Sequence, residues 1–151
     1  MAMFFKKKKN IDPVFGEVNF MCGWMTAEKI SFTMWGKVSE FYVQATAENE
    51  KDLISDEQRK AFAGFKSSKS SIEAKTEEVL KEHFPGLSDA ELAERFSVQE
   101  IVFTRDGSFG IVIDDSEDDD CAVQPDAGLA IKFGEKIEFF DSQEEYLIFL
   151  Y

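Results

Sequence analysis

Residues 100–114 read EIVFTRDGSFGIVID, and they decide the fold class. Two apolar runs rich in β-branched and aromatic residues flank Asp106-Gly107, a pair that tolerates positive φ, so the stretch reads as a β-hairpin. Everything just before it has another period.

Residues 55–65, SDEQRKAFAGF, open with a capping box in which Ser55 and Gln58 each satisfy an orphan amide. Residues 70–86, SSIEAKTEEVLKEHFPG, place Ile72, Thr76, Val79, Leu80, His83 and Phe84 at helical spacing before Pro85-Gly86 stops them. Residues 88–96, SDAELAERF, repeat the capping signal with Ser88 and Glu91. The middle of the chain is therefore predicted helical.

Further out the period returns to two. VFGEVNFM (14–21) puts Val14, Gly16, Val18 and Phe20 on one face. EKISFTMW (28–35) alternates Ile30, Phe32 and Met34 with polar residues, and VSEFYVQA (38–45) aligns Phe41, Val43 and Ala45. The links TAE (26–28) and GK (36–37) read as hairpin turns. After the central hairpin, GLAIKF (128–133) and KIEFF (136–140) form another pair around Gly134-Glu135, and DSQEEYLIFLY (141–151) fits either a short capped helix or a last strand.

Strands, then two or three helices, then strands predict one α+β domain over residues 1–151, with a mainly antiparallel sheet and helices on one face. The length of 151 residues suits a single core, and sixteen phenylalanines predict that aromatic rings fill it.

Charge narrows the chemistry. The net charge is −13, from 17 basic and 30 acidic residues, which repels the phosphate backbone and disfavours nucleic acid as a ligand. Lys6 to Lys9 concentrate four positive charges, so the remaining chain is more acidic still. Those lysines read as neutralised within the molecule or as a solvated edge strand, since four fall at the short end for a patch that contacts acidic lipid or nucleic acid. No run approaches a membrane span, and the order of MAMFFKKKK is the reverse of a secretory signal. A cytoplasmic protein with two free thiols, Cys22 and Cys121, is expected.

His83 is the sole histidine, which excludes paired-histidine zinc sites and HExxH. It is expected to be a packed or partly exposed helix residue, and a Cys22–His83 nucleophile pair lacks any supporting motif. Phosphate-binding glycine loops and the GxSxG elbow are absent. The chain is read as a non-enzyme with no cofactor.

What remains is DDSEDDD (114–120), six carboxylates in seven positions. Asp114, Asp115, Glu117, Asp118, Asp119 and Asp120 are the candidate partner-binding residues, as a docking surface for a basic protein. Two other readings accompany this one: a solvated loop of mutually repelling acids, and a weak Ca²⁺ or Mg²⁺ site outside the EF-hand pattern.

Four segments carry a family resemblance: DPVFGEV (12–18), SDEQRKAFAGF (55–65), EIVFTRDGSFGIVIDD (100–115) and DAGLAIKFGEKIEFFDSQEEYL (126–147). In this order they resemble small bacterial domains of unknown function, some of them candidate immunity proteins of polymorphic or contact-dependent toxin systems. The resemblance implies a bacterial interaction protein that covers a basic toxin with an acidic face. It carries over no catalytic residue. Ala127 departs from the family pattern, which has histidine or a larger residue before the glycine of the last hairpin. A structural or regulatory module is the alternative reading.

Overall fold

The structure, a computed structural model, describes residues 10–116 and 128–141. Six short strands come first: β1 (Asn10–Asp12), β2 (Gly16–Phe20), β3 (Trp24–Thr26), β4 (Ile30–Met34), β5 (Lys37–Phe41) and β6 (Val43–Ala45). Three helices follow, α1 (Asp56–Ser67), α2 (Lys69–His83) and α3 (Asp89–Arg95). Strands β7 (Phe96–Phe103), β8 (Phe109–Asp115), β9 (Leu129–Phe133) and β10 (Ile137–Phe140) complete the α+β architecture. The main sheet runs β1-β2-β3-β6-β7-β8-β9-β10, and β4 and β5 pair separately. Neighbours are antiparallel except β6 and β7, whose parallel pairing requires a crossover. The three helices supply it.

Both predicted capping boxes form. Ser55 accepts from the Gln58 amide while Gln58 accepts from the Ser55 amide, and Ser88 and Glu91 do the same for α3. The predicted central hairpin is β7–β8, with Gly107 at φ +90° in its turn and Asp106 accepting from the Ser108 amide at 2.9 Å. The hairpin around Gly134-Glu135 is β9–β10.

The N-terminal strands depart from expectation. The run 38–45 is not one strand: β5 and β6 belong to different sheets, with Tyr42 between them. The TAE link is not a hairpin turn but the passage from β3 in the main sheet to β4 in the small one. The hairpin partner of β2 is β3, reached through Cys22 and Gly23 at φ 57° and 141°. Three residues are too few to display alternation, so β3 leaves no periodic signal. The GK turn does form, with Trp35 and Gly36 both at positive φ, as a tight hairpin with matching twist demands.

Physically, β3–β4 and β5–β6 are the two legs of one long hairpin, bent at a single level. At the bend the Thr26 hydroxyl accepts from the Val43 amide at 3.0 Å and donates to the Glu28 carbonyl at 2.9 Å, replacing the interrupted ladder. The outer half of the hairpin becomes an arm that leaves the main sheet and packs against α2. Phe32, Met34 and Phe41 thereby enter the core.

The arm is fastened by side chains from α2. Lys69 donates to the Ser31 carbonyl at 3.0 Å, Glu73 accepts from the Thr33 amide, and Glu77 accepts from the Trp35 amide at 3.1 Å. Every fourth helix residue meets every second strand residue. The spacings match because four helical residues rise about 6.0 Å and two strand residues about 6.8 Å. The helix thus occupies the place of a third strand.

The core is aromatic, as the composition predicts. Phe65 lies at its centre, with ring centroids 5.6 to 6.3 Å from those of Phe32, Phe62, Phe103 and Phe109. On the opposite face of the sheet Val102, Val112 and Ala130 are also buried, with Phe140 packed against them. Glu100 stands opposite Val112 on that face, and burial pushes its carboxyl above the usual range.

Candidate functional site

The acidic run begins where β8 ends, and its entry is held by α3. Helix α3 passes into β7 without a loop, so its last residue, Arg95, lies beside Phe96, and Phe96 pairs in register with Asp115. Arg95 reaches across with two parallel bonds, Nε to Asp115 Oδ1 at 2.9 Å and Nη2 to Oδ2 at 3.1 Å. This fork-to-fork geometry is the strong form of a charged hydrogen bond. The guanidinium carbon also lies 4.9 Å from the Phe84 ring and 5.0 Å from the Phe96 ring. One residue on, the Ser116 amide donates to the Arg95 carbonyl at 2.9 Å.

The candidate residues therefore divide. Asp115 is 8% exposed and committed to Arg95, so it anchors the run rather than facing a partner. Asp114, one position earlier, is half-buried. Glu117, Asp118, Asp119 and Asp120 lie outside the described residues, as do Ala127, Cys121, Lys6 to Lys9 and the tail 142–151.

Where the run departs, the surface is already acidic. Leu87, Glu91, Glu94, Arg95 and Ser116 line an open hollow of about 260 Å³. Glu91 and Glu94 are exposed. The Ser88 backbone amide and then the Ser88 hydroxyl hold the Glu91 carboxyl below the usual range. The guanidinium in this hollow, Arg95, is already turned to Asp115. We call this edge, where Glu91 and Glu94 stand and the run DDSEDDD begins, the acidic rim.

His83 is exposed and stacks on Phe139, with centroids 3.9 Å apart and planes 13° apart. Of the two expectations, packed or partly exposed, it lies on the exposed side, with one ring face covered by Phe139. Cys22 sits in the β2–β3 turn, where its carbonyl accepts from Gln44 Nε2 at 3.3 Å. Since β3 and β10 are five steps apart in the sheet order, the two groups are separated by on the order of 24 Å of sheet. They form no nucleophile pair.

A second feature left little signal in the sequence. Asp12 is buried and accepts from the Val14 and Phe15 amides, each at 2.9 Å, and from Arg59 Nε at 2.8 Å. Burial opposes ionisation of its carboxyl, but the Phe15 and Val14 amides and the Arg59 guanidinium outweigh it and lower the pKa. Beside this pair Ile11, Val18, Trp24, Leu53 and Ile54 line a cleft of about 200 Å³. Asp12 and Arg59 are 47 positions apart, and only the Asp-Pro turn signal at Asp12-Pro13 hints at a structured carboxylate there.

Among the described residues, no three or more His, Cys, Asp or Glu side chains converge as they would around a metal ion. No described helix is long and apolar enough to cross a membrane. Comparison with protein-family models, with curated proteins and with solved structures finds no match.

Proposed function

We propose that this protein is a non-enzymatic binding domain of the bacterial cytoplasm, acting through its acidic rim on a basic protein partner. An immunity-type inhibitor of a basic toxin is the specific form of this reading. The observation that carries it is the Arg95–Asp115 fork, which fixes the root of DDSEDDD beside Glu91 and Glu94. Carboxylates that only needed solvent would not require such an anchor. The exposed Glu91 and Glu94 add to the local acidity, and the net charge of −13 adds long-range attraction.

Electrostatic complementarity of this kind acts chiefly on the rate of encounter. The test is a pull-down from native cells at low and moderate salt, wild type against a variant carrying Asp118→Asn, Asp119→Asn and Asp120→Asn. A basic protein retained by the wild type should be lost from the variant. With that protein purified, association should slow by roughly tenfold at low salt and lose most of its salt dependence. Unchanged kinetics in the variant would remove the acidic run from the interface.

A further inference from the structure

An edge strand presents a row of unpaired backbone amides and carbonyls, which folded proteins ordinarily cover or blunt. The two edges of the β4–β5 arm are treated differently. Along β4 and into its turn, the outward groups of Ser31, Thr33 and Trp35 are taken by Lys69, Glu73 and Glu77. Because the Thr33 amide points away from β5, the Thr33–Val38 pair is a non-hydrogen-bonded one, and so is Ser31–Glu40. The N–H and C=O groups of Val38 and Glu40 therefore also point outward, on the far side of the arm.

Nothing meets them. Strand β5 pairs with β4 alone, and among the described residues no hydrogen bond reaches the backbone of Val38 or Glu40. Val38 is 60% exposed and Tyr42 is 43% exposed. Glu40 is exposed between them and has no ion pair among the described residues.

We propose that this edge of β5 docks an extended segment of a protein partner, which adds to the arm as a third strand. Main-chain bonds to Val38 and Glu40 supply the pairing, and alternate side chains supply the selectivity. Opposite Val38, Glu40 and Tyr42 the fitting sequence is apolar, basic, apolar, since opposite charges favour a cross-strand pair and like charges oppose it. A second copy of the chain fits poorly, because it brings another net charge of −13. The site rests on backbone geometry in the arm and not on the rim carboxylates, although Lys37 at the start of β5 donates to the Ala93 carbonyl of α3 at 3.2 Å.

The experiment probes the labelled full-length protein against an array of immobilised ten-residue peptides of randomised sequence. The wild type should retain a set enriched in the apolar–basic–apolar alternation. Val38→Pro removes an N–H that the β4–β5 ladder does not use, so the arm persists while the docking edge is blocked. That variant should lose at least about tenfold in affinity for the retained peptides, which main-chain pairing requires. Glu40→Lys should shift the preferred central residue from basic to acidic. Copies of the retained peptides N-methylated at alternate amides should no longer bind, a result that needs no variant to fold.

No enrichment, or equal binding by the N-methylated copies, would overturn the proposal. A concentration-dependent dimer abolished by Val38→Pro would do so too, by making a second copy the occupant. The Asp118, Asp119, Asp120→Asn variant should capture the same peptides as the wild type. Loss of capture there would place the site on the rim and not on β5.

Discussion

Phe65→Ala is expected to cost about 3–5 kcal/mol of stability, the range for deleting a fully buried aromatic ring. The ring is 1% exposed and touches the arm through Phe32, helix α1 through Phe62, and the sheet through Phe103 and Phe109. Neighbouring rings are rigid and approach from several directions, so the vacated space cannot collapse readily. For a domain with total stability of roughly 5–15 kcal/mol, such a loss leaves little margin. Urea unfolding should show a lower midpoint with an unchanged slope, and the melting temperature should fall by more than about 6 °C. Phe65→Leu keeps much of the volume and should cost less than half as much. Equal losses for the two variants would mean that the ring's shape, not its bulk, holds the three layers together.

Gln58→Glu is expected to be nearly as damaging, although it changes one atom. Gln58 is fully buried, and its Nε2 donates to the Thr46 and Phe103 carbonyls, each at 3.0 Å. Those carbonyls lie at the ends of β6 and β7, the parallel pair that the helices bridge. A carboxylate there places an acceptor against two acceptors and buries a charge, at a cost of about 3 kcal/mol or more. Arg105 lies 3.4 Å from Oε1, on the other side of the amide, and supplies no donor to either carbonyl.

The pH dependence follows from the sign of the shift. Desolvation and the two facing carbonyls raise the folded-state pKa of the introduced acid above its unfolded value. The native state then holds more protons, so stability falls as pH rises through that window. The variant should recover part of its loss below about pH 4, where the unfolded carboxyl is also protonated. Thermal melts of wild type and variant between acid and neutral pH check this. A pH-independent difference would place Gln58's contribution in its shape rather than in its donated bonds.

The same residue shows what the chain reveals locally and what it conceals. Gln58 is readable as the third helical position of a capping box because that motif closes within four residues. Its bonds to Thr46 and Phe103 span 12 and 45 positions, and no periodicity encodes them. Strands of four residues or more with alternating faces were legible, as were the Asp106-Gly107 and Gly36-Lys37 turns. The bend at Tyr42 was not, because the alternation of Phe41, Val43 and Ala45 continues smoothly while hydrogen bonding passes from one sheet to another. At the rim, the cluster of acids was plain. That Asp115 anchors it depended on Arg95, 20 positions away, arriving at the end of a helix whose exit register only folding fixes.

The α2 side chains that close the β4 edge have a kinetic consequence. Along β4 and into its turn, Phe32 and Met34 lie in hydrogen-bonded register with Ser39 and Lys37, whereas Thr33 and Trp35 donate to carboxylates 40 and 42 positions further on. Neighbouring amides of one strand therefore answer to different openings. Ala74→Gly on the exposed side of α2 weakens the helix by about 1 kcal/mol. It should speed deuterium exchange at Thr33 and Trp35 while leaving Phe32 and Met34 slow, and uniform acceleration would mean that arm and helix open as one unit. Strand β4 carries two clocks, one set by its partner strand and the other by a helix that forms later along the chain.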